Sequence, residues 1–171
     1  PFPFFITAEV DQLPTCDSPC SGVVTATPNF GQGPFTYSWS HDAAQTGSTG
    51  AGVCEQLLLV TATDVNGCMD EVTVTVEIPP VEVLTFSTDP SCNGFDDGTA
   101  SAVATGGVGG GFTFEWTTAG GAPAGSGADL TDLPAGTYIV TATDTGGCSL
   151  SNSATLTDPP AVDVEVNTTP V

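Results

Sequence analysis

The sequence predicts an all-β protein made of two tandem immunoglobulin-like β-sandwich modules, stapled by disulfides. Three observations predict this class: short alternating segments rich in β-branched residues, an internal repeat of nearly 80 residues, and six cysteines. In a chain of 171 residues, two such modules would each be small. Small modules bury little apolar surface, so covalent staples are expected.

The strand pattern is clearest where apolar and polar residues alternate. In 137–143, Tyr138, Val140 and Ala142 share one face, and the threonines lie mostly on the other. This period of two is typical of an antiparallel sheet with one solvated face. Glycine-rich turns delimit six predicted strands in the second half of the chain: 81–87, 99–105, 111–117, 127–132, 136–143 and 149–157.

Several motifs of the first half recur in the second half with nearly constant spacing. Val60-Thr-Ala-Thr-Asp64 recurs as Val140-Thr-Ala-Thr-Asp144, and Phe35-Thr-Tyr-Ser-Trp39 recurs as Phe112-Thr-Phe-Glu-Trp116. The repeat predicts module 1 over 1–80 and module 2 over 81–160, joined at Pro79-Pro80. Residues 161–171 match the start of a module. They are predicted to form an extra strand, either a donor strand or the start of a third module.

Charge excludes several classes of function. The chain has no Lys or Arg, 20 Asp and Glu, and a formal net charge of −20. Without cations to neutralise phosphates, nucleic acid is not expected as a partner. Lysine-dependent catalysis is excluded as well. No apolar stretch approaches the roughly 20 residues that span a bilayer, so membrane insertion is not expected either.

No catalytic residue and no cofactor site stand out in the sequence. His41-Asp42 is the one pairing of His with a carboxylate, and Ser38 and Ser40 lie close to it. No motif places a nucleophile or an oxyanion hole there, so an exposed turn is expected and an enzyme is not. The weak candidate for a metal site is calcium at Asn93, Asp96 and Asp97, with a solvated acidic turn as the alternative.

Module 2 resembles the SprB-type repeat, which is found in surface adhesins of the Bacteroidota and is related to PKD-like immunoglobulin folds. The resemblance is carried by Cys92-Asn-Gly, Asp97-Gly-Thr-Ala, Phe112 to Trp116, Leu133-Pro-Ala-Gly-Thr-Tyr138, Asp144 and Cys148. Module 1 keeps Trp39, Asp64-Val-Asn-Gly-Cys68 and Pro79-Pro80, replaces the Gly-Thr-Tyr segment by Gln56-Leu57-Leu58, and adds Cys20 and Cys54. The resemblance implies an extracellular or cell-surface location and a role as stalk, spacer or fibre unit.

The aromatic residues of this pattern are expected to be structural. Trp39 and Trp116 are predicted to fill the sandwich cores, and Tyr138 to form a tyrosine corner. The alternative is that Trp116, Phe112 and Phe114 form a platform for sugar stacking, which requires that they face solvent.

The sequence also predicts covalent features, namely disulfides and glycosylation sites. Aligning the repeats makes Cys16–Cys68 equivalent to Cys92–Cys148 and leaves Cys20–Cys54 as a third disulfide. Asn167 begins an N-x-[ST] sequon. Ser18 and Thr145 each follow Asp, like the O-glycan acceptors of the suspected bacterial group, so covalent glycans are candidate partners. The alternative is that the abundant Thr reflects only its propensity for the wet face of a strand.

The predicted function is that of a structural extracellular protein, a subunit or tandem repeat of a bacterial surface fibre or adhesin. Its expected partners are copies of itself, joined head-to-tail by β-strand donation from 161–171. The alternative is an immunoglobulin-like module that binds carbohydrate or another cell-surface ligand.

Overall fold

The structure is a computed structural model that describes residues 3–165, and it is all-β. Val166 to Val171, including the sequon at Asn167 and most of the predicted extra strand, lie outside the described residues. The chain divides into two compact units. Unit 1 comprises residues 1–80 together with 107–110 and 145–148, and unit 2 comprises the remainder.

Unit 1 contains two three-stranded antiparallel sheets, β1-β2-β4 and β3-β5-β6. Their strands are β1 (Phe5–Gln12), β2 (Gly22–Asn29), β3 (Thr36–Trp39), β4 (Thr49–Val53), β5 (Gln56–Thr63) and β6 (Met69–Val76). The inward-facing residues of both sheets form one core around Trp39. Alternation along β5, where Leu58, Val60 and Ala62 are fully buried, places one face of the strand in that core.

Unit 2 repeats this plan with one strand more, in the sheets β11-β8-β7 and β10-β9-β12-β13. Its strands are β7 (Glu82–Thr88), β8 (Gly98–Thr105), β9 (Phe112–Thr118), β10 (Pro123–Ser126), β11 (Asp129–Leu133), β12 (Gly136–Asp144) and β13 (Ser149–Leu156). Two tandem immunoglobulin-like sandwiches are therefore present, as predicted. The short β10 was not predicted, because Pro-Ala-Gly-Ser has no β-branched residue.

The two sheets of unit 2 are joined along one edge by polar side chains that donate to backbone carbonyls. Thr85 Oγ1 donates to Ser153 O at 2.8 Å, and Asn152 Nδ2 donates to Val83 O at 2.7 Å. These bonds satisfy main-chain groups where β7 and β13 meet without a regular ladder. Thr85 and Asn152 thus help to hold the two sheets of unit 2 together.

The predicted core aromatics are buried. Trp39 Nε1 donates to Gly47 O and Trp116 Nε1 donates to Gly127 O, both at 2.9 Å, so neither indole leaves an unsatisfied donor. Tyr138 is 5 % exposed and its hydroxyl donates to Pro134 O at 2.9 Å. The tyrosine corner is confirmed, and burial is the main cause that raises the pKa of this phenol.

Candidate functional site

The cysteines do not pair as the repeat alignment predicts. Cys20 is bonded to Cys54, which matches the predicted pair. Cys16, however, is bonded to Cys148, while Cys68 and Cys92 are free and exposed. The predicted pairs Cys16–Cys68 and Cys92–Cys148 are therefore wrong.

Strand geometry explains why Cys16 does not reach Cys68. Gly22 pairs with Val53, so the loop after β1, which carries Cys16 and Cys20, lies at the same end of the sandwich as Cys54. From there β5 runs eight residues, about 26 Å, before the chain turns at Cys68. A disulfide needs Cα atoms within about 7 Å, so a bond between these two ends is excluded.

The same reasoning separates Cys92 from Cys148. Gly98 pairs with Leu133, which places the loop after β7 at the end of the sandwich where β12 begins. Cys148 follows β12, nine residues or about 30 Å further along. In each repeat, the first cysteine and the turn cysteine therefore lie at opposite ends of a sandwich.

The turn that carries Cys68 is built around the carboxylate of Asp64, which is only 6 % exposed. Asp64 Oδ1 accepts the backbone N–H of Asn66 at 2.8 Å and of Cys68 at 2.9 Å, and Oδ2 accepts that of Gln32 at 3.3 Å. Gly67 completes the turn with a φ of 83°, which residues other than glycine rarely adopt. These bonds, above all the one from Cys68, hold the pKa of Asp64 below its ordinary value of 3.8.

Asp64 is expected to make stability pH-dependent in acid. Because its folded pKa lies below its unfolded pKa, its contribution is present above about pH 4 and is lost as the pH falls through the folded value. Asp64→Asn should lower the urea midpoint at pH 7, and the difference from wild type should shrink towards pH 2. Glu77→Gln, which removes one exposed carboxylate, is the control. A constant difference from pH 7 to pH 2 would contradict this role.

The turn that carries Cys148 belongs to unit 1 and packs against the loop of Cys16. Gly146 O accepts the backbone N–H of Asp17 at 3.0 Å, next to the disulfide. Gly147 has a φ of 81°, and a Cβ atom there would collide with the carboxylate of Asp17. A Cβ at the corresponding Gly67 would meet nothing within 4 Å. Gly67 and Gly147 thus have nearly the same φ, but a Cβ at Gly67 would face open space.

The calcium candidates lie in the exposed loop that carries Cys92. Asp97 Oδ1 accepts the Ser91 N–H at 2.8 Å, and hydrogen bonds from the side chain and backbone of Ser91 hold the pKa of Asp97 below its usual range. Asn93 Nδ2 donates to Pro159 O at 2.9 Å. Within residues 3–165 there is no group of three or more His, Cys, Asp or Glu arranged to hold a metal ion.

The loop of Cys92 borders a cleft of about 350 Å³. Its lining comes from the loop and from the segment after β13: Ser91, Cys92, Asn93, Pro159, Pro160, Ala161 and Val162. Gly94 N–H donates to Asp158 Oδ1 at 3.0 Å and, with the bond from Asn93, holds the loop against this segment. Sequence reasoning missed this arrangement because it treated Cys92 as half of a disulfide.

His41 and its neighbours make local packing and hydrogen-bond contacts. It is half-buried rather than in an exposed turn, because its ring packs edge-on to Trp39 and its Nε2 lies 3.1 Å from Ala51 O. Asp42 accepts the Ala44 N–H at 2.9 Å, and Ser40 Oγ accepts the Leu59 N–H at 3.0 Å. These contacts are those of a structural turn.

The platform proposed for sugar stacking is only partly exposed. Trp116 is buried, which removes it from any platform, whereas Phe112 and Phe114 are half-buried with ring centroids 6.5 Å apart. Both phenylalanines line a cleft of about 480 Å³ together with Glu115 and Ser126. Both rings also lie on the core-facing side of β9 with Trp116 and pack against the core of unit 2, so they do not form the solvent-facing platform that sugar stacking requires.

Ser18 and Thr145, two of the three glycosylation candidates, lie within the described residues. Ser18 is exposed, and its backbone N–H donates to Thr15 in a tight turn. Thr145 is exposed as well, with its hydroxyl donating to Gly110 O at 3.1 Å.

Comparison with known proteins agrees with the predicted class. Residues 84–121 match the SprB repeat family model, which confirms the resemblance over this part of module 2. The fold is similar to a solved structure of the three N-terminal domains of the Highly Immunogenic Outer Capsid protein (Hoc) of bacteriophage RB49, with a TM-score of 0.59 and 16 % identity. The match covers 91 % of this chain and 59 % of the Hoc chain. No curated protein matches.

These comparisons support a surface or structural repeat module, and the Hoc match supports the fold alone. The part of the chain between residues 3 and 165 has no helix long and apolar enough to cross a membrane.

Proposed function

We propose that this chain is a structural module of an extracellular surface fibre or adhesin, and that copies of it assemble head-to-tail. The observation that carries the proposal is the match of 84–121 to the SprB repeat within a tandem array of two sandwiches, in a chain that holds two disulfides. SprB-type repeats belong to surface adhesins, and disulfides persist in oxidising compartments outside the cytosol. The protein's role is therefore to supply length and resistance to unfolding at a cell surface.

The segment after β13 supplies the proposed assembly element. Residues 161–165 form no strand in the structure, although Val162 and Val164 alternate with Asp163 and Glu165 as in a strand. Val162 is 91 % exposed and Val164 is 74 % exposed. An unpaired strand of this chemistry is stabilised by adding to a sheet edge. Donation to the next copy is a heterologous contact, which propagates into a filament.

Removing the donor segment is expected to abolish assembly. A chain truncated after Pro160 should remain folded but sediment as a monomer under conditions in which the full chain forms large species. Replacing the valine face by Val162→Asn and Val164→Asn should have the same effect. Changing the other face by Asp163→Asn and Glu165→Gln is the matched control and should preserve assembly. Large species of normal size from the truncated chain would contradict strand donation by this segment.

A second candidate function is supported by the cleft at Phe112 and Phe114. Two half-buried rings line this cleft beside Glu115 while packing in part against the core, and sugars stack their apolar faces on aromatic rings. A glycan array would test this candidate. Loss of a wild-type signal in Phe112→Ala with Phe114→Ala would support it, and no signal from the wild type would contradict it.

A further inference from the structure

The disulfide pattern contains one bond between the repeats and two unused cysteines at the matching positions. Cys16 is the first cysteine of module 1, and Cys148 is the turn cysteine of module 2. The repeat alignment makes Cys92 equivalent to Cys16 and Cys68 equivalent to Cys148. Both of these equivalents are free and exposed. The chain thus has one more cysteine of each kind: Cys92 in the loop after β7 and Cys68 in the turn after β5.

We propose that Cys92 of one copy forms a disulfide with Cys68 of the next copy, so that the bond seen between Cys16 and Cys148 is repeated from copy to copy. This inference rests on the proposed head-to-tail assembly and gives it a covalent link. A bond within one repeat is excluded, because its two cysteines lie at opposite ends of a sandwich. A second copy supplies both missing partners at once, and each copy then uses all six of its cysteines.

The turn of Cys68 shares a backbone feature with the turn of Cys148, which does form the bond. Gly67 and Gly147 have φ values of 83° and 81° and each directly precedes the cysteine of its turn. Gly147 packs on Asp17, whereas Gly67 faces open space. In the inter-copy contact, the bond from Asp17 N–H to Gly146 O would be repeated by Asn93 N–H and the carbonyl of Asn66.

The loop of Cys92 offers a receiving surface. In unit 1 the loop of Cys16 receives the turn 145–148. The corresponding loop of unit 2 borders the cleft of about 350 Å³, and it is held in place by the bonds from Asn93 to Pro159 and from Gly94 to Asp158. The cleft lies beside the segment that we propose as strand donor, so strand donation and the disulfide would act at one joint.

Formation of the bond requires an oxidant, and a small-molecule disulfide such as oxidised glutathione supplies it. The Cys68 thiolate attacks the oxidant's disulfide and releases one thiol, giving a mixed disulfide. The Cys92 thiolate of the neighbouring copy then displaces the second thiol. The oxidant gains two electrons, and the two protons given up by the cysteines are taken up by its two product thiols.

Two single variants, Cys68→Ser and Cys92→Ser, test the pairing directly. Each leaves one free thiol in the chain and keeps the disulfides Cys16–Cys148 and Cys20–Cys54. They are incubated with oxidised glutathione at about 0.15 M salt, where the Debye length of about 8 Å limits repulsion between the acidic copies. Wild type should give a ladder on non-reducing gels that collapses on reduction. Each variant alone should stay monomeric, while their mixture should give at least tenfold more dimer, with a Cys68–Cys92 peptide on mapping.

Other results would overturn the proposed cross-link. Dimers of either variant alone, as abundant as in the mixture, would overturn the inference. So would recovery of Cys16–Cys68 and Cys92–Cys148 from the wild type. Filaments seen by electron microscopy with both thiols still free would overturn the cross-link and leave the proposed assembly standing. Absence of both filaments and ladder would overturn both proposals.

Discussion

Trp116→Ala is expected to destabilise unit 2 by about 3–5 kcal/mol, the usual range for removal of a buried large aromatic residue. Trp116 is 1 % exposed, lies in the core of unit 2, and satisfies its N–H with Gly127 O. A loss of this size is a large part of the roughly 5–15 kcal/mol that stabilises a typical domain. Unit 2 should therefore unfold at markedly lower urea concentration.

The chain's two tryptophans make this experiment selective. In the Trp116→Ala variant the remaining indole is Trp39, in the core of unit 1, so fluorescence reports unit 1 while circular dichroism reports both units. We expect an early dichroism transition that fluorescence does not follow. Phe86→Ala, at a side chain that is 58 % exposed, is the control and should change stability by less than about 0.5 kcal/mol. An equally small effect of Trp116→Ala would contradict the assignment of this residue to the core.

Loss of the Cys20–Cys54 disulfide is expected to destabilise unit 1 by about 4 kcal/mol in the chain-entropy model, given its sequence separation of 34. The bond ties the β1–β2 loop to the end of β4. Cys20→Ser with Cys54→Ser should lower the urea midpoint of unit 1, followed by Trp39 fluorescence in chains that all carry Trp116→Phe, without reducing agent in any sample.

The matched control replaces the two free cysteines. Cys68→Ser with Cys92→Ser should leave the stability of the monomer within about 0.5 kcal/mol of wild type, since both residues are exposed and unbonded within the chain. If the two double variants lost the same stability, the expected contribution of Cys20–Cys54 to unit 1 would be contradicted.

Alternation predicted most of the strands, because residues facing the core recur at every second position. The predicted strand 136–143 is β12, Gly136–Asp144, and its buried residues Tyr138, Val140 and Ala142 are the ones expected. β10 was missed because its conformation comes from pairing with β9, where Gly125 lies opposite Trp116, and not from its own residues. Periodicity in the sequence indicates which residues are buried. It does not predict a strand, such as β10, that forms because it pairs with a neighbouring strand.

The repeat alone does not predict how the cysteines pair. Alignment shows that Cys16 and Cys92 are equivalent, but not which end of a sandwich each occupies. That information comes from the register of Gly22 with Val53 and from the length of β5, both of which appear only in the folded chain. The tail shows the same limit: Val162 and Val164 have strand chemistry, yet a strand forms only where an edge pairs with it.

Head-to-tail assembly is the central claim, and electron microscopy of the purified 171-residue chain tests it most directly. The chain is imaged over a range of concentrations, with and without oxidised glutathione. We predict unbranched filaments whose repeating unit is one chain of two sandwiches. Monodisperse single particles at every concentration and in both conditions would contradict the account.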